Sequence, residues 1–186
     1  MKEIIKLSLS LALVGMIAGL ALSTTYSLTK DQIIFQQELA IFEAQKELFP
    51  EADNFAKQDI EKVEIGSASI NSLYHAKTEE GFLLGHLVNV GVPGYGGIIT
   101  IVIGFDQQEN LQGVQVTNHS ETPGLGANIT RKDYLQQFSG KPMGDPFELN
   151  NDVKPITAST ITVEALIRGI RSAISFMESD PAGGSL

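Results

Sequence analysis

The chain has 186 residues, 42% of them hydrophobic and 19% charged, which suits one folded domain with a real core rather than a disordered segment. It contains no cysteine, so disulfides, thiolate nucleophiles and iron–sulfur ligation are all excluded, and any redox role must rest on a bound organic cofactor. A net charge of −9 argues against nucleic acid as a partner, and His75, His86 and His119 are scattered without metal-ligand spacing.

Residues 4–22 (IIKLSLSLALVGMIAGLAL) form the one strongly apolar run and just reach the roughly 20 residues that span a bilayer. We assign residues 1–28 as an N-terminal transmembrane anchor. The small residues around Ala21-Leu22-Ser23 leave a cleaved signal peptide as the alternative. Lys2 and Lys6 precede or begin the run, while Ser23 to Leu28 carry no charge. The positive-inside rule then places the N-terminus in the cytoplasm and the rest of the chain on the extracytoplasmic side of the cytoplasmic membrane. Residues 1–30 hold three lysines and one glutamate, so the remainder is an acidic domain of net charge −11.

Asp31 to Phe49 read as a helix with Phe35, Leu39, Phe42 and Phe49 near one stripe, ended by Pro50. Residues 29–50 are therefore expected to form a stalk helix and 51–179 the folded domain. Residues 51–80 are mixed and polar, with a short helical turn followed by strands near Lys62–Ile65 and Ser72–Thr78. From Phe82 to Val90 the pattern alternates with period two, and His86 on its apolar side reads as a hydrogen-bonded core histidine. Gly94-Tyr95-Gly96-Gly97 makes a loop, Ile98 to Ile103 a β-branched central strand, Asp106 to Asn110 a turn, and Leu111 to Asn118 the return strand. Three strands on short loops predict an antiparallel meander.

The return strand runs into His119-Ser120-Glu121-Thr122-Pro123-Gly124-Leu125-Gly126, where Pro-Gly and a second glycine permit a tight turn and close backbone approach by a ligand. Taken alone it reads first as a plain turn. Arg131 to Phe138 reads as a short helix and Ser139 to Asp152 as a Gly/Pro loop. Val163, Leu166, Ile167, Ile170, Ile174 and Met177 recur at helical spacing in a final amphipathic helix, with Thr162 as its expected N-cap. Residues 180–186 are expected to be a disordered tail. The predicted fold is α+β: a twisted antiparallel sheet with flanking helices on a single N-terminal transmembrane helix.

Ile156-Thr157-Ala158-Ser159-Thr160-Ile161-Thr162 places four hydroxyls in seven residues just before that last helix. The first amides of a helix have no intrahelical partner, so small residues and hydroxyls there describe an anion site, and a serine/threonine helix cap looks much the same. Nothing nearby supplies a base for a threonine nucleophile, and neither GxGxxG after a strand nor GxxxxGK[ST] occurs.

In order along the chain, the N-terminal span, Gly-Tyr-Gly-Gly at 94–97, His-Ser-Glu-Thr-Pro-Gly-Leu-Gly at 119–126 and Thr-x-x-Thr-x-Thr at 157–162 resemble the FMN-binding domain family. Within it the chain is similar to the G subunits of Rnf-type ion-translocating electron-transport complexes, themselves similar to the C subunit of the sodium-translocating NADH:quinone reductase. The resemblance covers nearly the whole chain. It implies FMN held covalently by a phosphoester to a threonine hydroxyl, installed by a separate flavin transferase that uses FAD as donor. The family pattern, Asp-x-x-Ser/Thr-Gly-Ala-Thr, places that threonine at Thr160 and matches again at Thr157. Lys154 stands where the pattern has aspartate, Ala158 where it has glycine and Ser159 where it has alanine; Asp152 is the acidic residue just upstream. Tyr95, Glu121, Thr122, Gly124, Leu125, Gly126, Thr157, Ala158 and Ser159 are the further cofactor-binding candidates. No residue is assigned a catalytic role. The implied function is electron relay within a membrane-bound ferredoxin:NAD oxidoreductase beside integral-membrane and iron–sulfur or flavin subunits, as a carrier rather than a complete enzyme. A free-standing membrane-anchored flavoprotein reductase and a scaffold subunit without flavin are the alternatives.

Overall fold

A computed structural model describes residues 2–179, so the predicted tail at 180–186 lies outside the described residues. Helix α1 runs Lys2–Leu48, then follow β1 (Asn54–Gln58), β2 (Val63–Ile65), β3 (Ala68–Lys77), β4 (Leu83–Pro93), β5 (Ile98–Asp106) and β6 (Leu111–Asn118). A 3-10 turn at Gly126–Thr130, the short helix α2 (Lys132–Leu135), a second 3-10 turn at Gln136–Phe138 and the long helix α3 (Thr160–Ser179) complete the order. The chain divides into two compact units, one ending at Leu39 and one starting at Ala40. The first is helical throughout and contains a stretch long and apolar enough to cross a membrane. Predicted anchor and stalk thus fall on one helix, whose last residues belong to the folded unit.

The folded unit is built on an antiparallel sheet in the order β1-β3-β4-β5-β6, with the short β2 pairing the other half of the β3 edge. The predicted meander is β4 to β6, in register from Pro93↔Ile98 through Gly85↔Asp106 and on to Ile103↔Val114. After Pro50 a single turn, closed by Ala52 N donating to Phe49 O at 3.1 Å, leads into an unexpected strand: residues 54–58 pair on the sheet edge, where a short, part-exposed sequence is tolerated.

Each face of the sheet has its own core. On one face α3 buries Val163, Leu166, Ile170 and Ala173 against Ile70, Val88, Val90, Ile99, Ile101 and Ile103. Each such side chain contributes about 1.5–3 kcal/mol by leaving water. On the other face Ala44 and Leu48 of α1, with Phe49, cover Ala76, Leu87 and Val102. The buried face of this helix end is therefore Ala44, Gln45 and Leu48, while Phe42 stays 50% exposed and packs edge-on with Phe55. This second layer explains why β4 is buried on both sides although its sequence alternates: Asn89, on the less apolar side, lies beneath the helix end at 5% exposure.

His86 is buried as expected, and two of the scattered histidines meet across β3 and β4, their Nδ1 atoms 2.9 Å apart. Gln58 Oε1 accepts from His75 Nε2 at 2.8 Å, which makes the His86 Nδ1–H the donor and His75 Nδ1 the acceptor. Burial lowers both pKa values below the ordinary histidine range, with Lys77 adding to the effect on His75 and His75 to that on His86.

Candidate functional site

The Ile156–Thr162 stretch is sorted by one backbone feature. Ala158 adopts φ +58°, the left-handed region that costs an L-residue about 1–2 kcal/mol and that glycine enters freely. The reversal turns the chain into α3, which begins at Thr160. Ser159, and not Thr162, precedes the helix: its carbonyl accepts from Val163 N at 3.0 Å, the first helical hydrogen bond. Thr162 instead sits in the first turn with its side chain buried, where it serves the wall of the site.

The four hydroxyls therefore differ in availability. Ser159 is 4% exposed and its Oγ donates to Thr157 O at 3.4 Å; Thr162 is 2% exposed and donates to a carboxylate. Thr157 and Thr160 are exposed. The amides of Thr160, Ile161 and Thr162 donate to no described residue, leaving the start of a 20-residue helix open to an acceptor.

Glu121 ties this helix start to the other two motifs. Its Oε1 accepts from the amides of Tyr95 at 2.8 Å and Gly96 at 2.9 Å, and its Oε2 accepts from Thr162 Oγ1 at 2.7 Å. His119 Nδ1 accepts from the Glu121 amide at 3.2 Å. Burial alone would raise the carboxyl, but the Thr162 hydroxyl, the Gly96 and Tyr95 amides and nearby His119 together hold it below the ordinary glutamate value. The fit requires glycine at 126: a Cβ there would stand 2.5 Å from Glu121 Oε2 and 2.8 Å from Thr162 Oγ1. The 122–126 turn closes when the Leu125 and Ala127 amides both donate to Thr122 O at 3.2 Å, with Gly124 at φ +78°.

These contacts border an open cavity of about 370 Å³ lined by Tyr95, Glu121, Thr122, Leu125, Gly126, Ala158, Ser159, Thr160, Ile161 and Thr162. Eight sequence candidates meet there. The other two, Gly124 and Thr157, line an adjacent hollow of about 610 Å³ with Arg131, Tyr134 and Lys154, and the two hollows share Leu125 and Ala158. Ile161 and Thr162 were not among the candidates, although they follow Thr160 directly and a helix start brings its first turn to the same opening. Tyr95, Leu125 and Ile161 remain exposed at 73%, 44% and 52%, an apolar rim around polar donors.

Lys154 is held by its backbone, its amide donating to Gln137 Oε1 at 2.8 Å and its carbonyl accepting from Tyr134 OH at 3.0 Å. Burial pushes the Tyr134 hydroxyl up to about 12, so it stays a donor. Asp152 does not reach the site. Its carboxylate accepts from Lys141 Nζ at 2.8 Å and from the amides of Phe147 and Glu148 at 3.2 and 2.6 Å.

Residues 94–175, the segment that carries all three motifs, match the FMN-binding domain family. The chain is 30% identical over 191 residues to the G subunit of the ion-translocating oxidoreductase complex of Aliivibrio fischeri (strain ATCC 700601 / ES114), covering 94% of this chain and 90% of that protein. It is 29% identical to the corresponding G subunit of Methanosarcina acetivorans over 96% of each chain. It is also 29% identical to the G subunit of the Na(+)-translocating ferredoxin:NAD(+) oxidoreductase complex of Acetobacterium woodii, over 96% of this chain and 93% of that one. Among solved structures, NqrC of Shewanella oneidensis superposes with a TM-score of 0.49 at 18% identity over 60% of this chain and 62% of that one. The chain belongs to the family of G subunits of ion-translocating oxidoreductase complexes.

The residues present fit FMN. A phosphate monoester or diester matches the open amides and exposed hydroxyls at the start of α3, and a planar aromatic ring matches a cavity rimmed by Tyr95, Leu125 and Ile161.

Proposed function

We propose that this chain is a membrane-anchored electron carrier of an ion-translocating oxidoreductase complex, with FMN joined through its phosphate to the Thr160 hydroxyl. The observation that carries the reading is Thr160 itself: an exposed hydroxyl on the first residue of α3, at the edge of a cavity that gathers all three motifs. FMN, when bound, supplies transfer of one or two electrons. The chain's own part is to hold and surround it. The Thr160, Ile161 and Thr162 amides and the helix dipole favour a phosphodiester charge by roughly 0.3–1 kcal/mol, so the covalent bond rather than the charge prevents loss of the cofactor. Tyr95, Leu125 and Ile161 offer apolar surface to a ring and keep water from one side of it.

Attachment needs a flavin transferase with FAD as donor: the Thr160 hydroxyl gives up its proton to the transferase or solvent, its oxygen bonds to the FMN phosphorus, the pyrophosphate bond breaks and AMP leaves. The partners are then the other integral-membrane and iron–sulfur or flavin subunits of such a complex, with the folded unit on the extracytoplasmic side, as the lysines at the N-terminus indicate. A scaffold subunit without flavin is the second reading, favoured by Lys154 in the place of the pattern's aspartate.

The test is co-expression with a flavin transferase, followed by intact mass under denaturing conditions and in-gel flavin fluorescence. One FMN-sized adduct on the wild type and none on Thr160→Ala supports the carrier. A wild type without adduct supports the scaffold.

A further inference from the structure

Glu121 does more than its hydrogen bonds require. The carboxylate is 5% exposed, lines the cavity beside Thr160 and receives three donors. A glutamine would serve the same three contacts: its Oε1 would accept from Tyr95 and Gly96, and its amide would donate to the Thr162 oxygen, whose hydroxyl is free to rotate. The hydrogen bonding therefore needs an acceptor oxygen at one end and any polar group at the other. It does not need a charge, and a buried charge is costly.

That charge also lacks a close ionic partner. Glu121 forms no salt bridge to a described residue: His119 acts on the carboxylate only from a distance while its Nδ1 accepts the Glu121 backbone amide, and Arg168 on the facing helix donates instead to Pro93 O at 3.0 Å. Glu121 lines an open cavity, and an occupant of that cavity displaces the water that would otherwise screen the charge, so the two interact over several ångströms more strongly than two exposed groups. Whatever occupies the cavity feels it.

We propose that the Glu121 carboxylate is a positioning and tuning residue that holds down the reduction potential of the flavin at Thr160, by keeping a fixed negative charge in the cavity where reduction adds negative charge. This rests on the reading of Thr160 as the attachment point. The same three hydrogen bonds that clip the Tyr95–Gly96 loop to α3 keep the carboxylate ionised, so one side chain fixes the shape of the cavity and its electrostatic potential together.

The test compares flavin-loaded wild type, Glu121→Gln and Glu121→Asp by spectroelectrochemical titration, with flavin load checked by intact mass and folding by thermal unfolding of the unflavinylated forms. Glu121→Gln is expected to fold, load flavin and shift the reduction equilibrium at least tenfold toward the reduced form, about 59 mV for a one-electron couple or about 30 mV for a two-electron one. Glu121→Asp keeps the charge but is one methylene too short for all three contacts; it should lose thermal stability while its potential moves less than that of Glu121→Gln. The proposal is overturned by a flavin-loaded Glu121→Gln with an unchanged potential, or by Glu121→Asp shifting the potential as far. A Glu121→Gln chain that does not fold also overturns it, since the charge would then belong to the fold's own bonding. A wild type without flavin on Thr160 removes the attachment reading and this one with it.

Discussion

Two neighbouring segments, 141–153 and 154–162, look alike in sequence, both rich in small, polar and turn-forming residues, yet one is closed and the other open. In the first, Asp152 gathers the Lys141 ammonium and two amides, and Lys141 Nζ also reaches Asp152 O at 2.9 Å. Phe147, at φ +45° and with its amide held by Asp152, is fully buried in the core. In the second, three helix amides and two hydroxyls bond to no described residue, and the left-handed turn at Ala158 orients them outward. A loop that satisfies its own polar groups is built for stability. One that leaves donors unspent at a helix start, beside a cavity, is built to receive something.

The contrast breaks most sharply at Asp152. Asp152→Ala leaves the largely buried Lys141 ammonium with only the residue 152 carbonyl and the longer contact to Asp145 at 3.6 Å, frees two amides, and should cost about 2 kcal/mol in urea unfolding, whereas the flavin load per folded molecule stays at the wild-type level. The acid limb reports the same contact. Burial alone would raise the Asp152 carboxyl, but Lys141 and the Glu148 amide hold it below the usual aspartate value. A folded-state pKa below the unfolded one adds stability that is complete above the ordinary carboxylate range and lost as pH falls through the lowered folded-state value. Glu121 behaves with the same sign. Unfolding followed from pH 6 to pH 2 should thus show a shallower acid loss in Asp152→Asn than in wild type.

Much of the architecture was legible because period-two and helical spacing are written directly in β4–β6 and α3. The misses have physical causes. Strand β1 is short, polar and on an edge, so nothing in its composition announces pairing with β3. The burial of Asn89 depends on the end of α1, distant in sequence, and that of Phe147 on a left-handed residue with no periodicity around it. At the site, motif order located every candidate within two adjoining hollows, but equal hydroxyls cannot be ranked from sequence. Only the turn at Ala158 separates exposed Thr157 and Thr160 from buried Ser159 and Thr162. The inward direction of Glu121 was likewise invisible, since a glutamate in a polar turn ordinarily faces water.

Smaller effects sharpen the open side of the contrast. Ala158→Gly relieves the left-handed strain at the cost of glycine's extra entropy, and should raise stability by a net amount of about 0.5–1 kcal/mol in urea unfolding. Its flavin load under limiting transferase, measured by intact mass, should equal or exceed that of wild type. Smallest of all, Thr157→Ala should change stability by less than about 0.5 kcal/mol and leave the load intact, because its hydroxyl lies in the adjoining hollow rather than at the helix start.

The attachment proposed at the open segment turns on which of its hydroxyls takes up the flavin. Lys141 and Lys154 each precede proline, so trypsin yields one peptide, Asp133–Arg168, that contains Thr157, Ser159, Thr160 and Thr162 together. Fragmentation of that peptide from transferase-treated protein should place an FMN-sized increment on Thr160. An increment on Thr157, Ser159 or Thr162, or an unmodified peptide, would contradict the account.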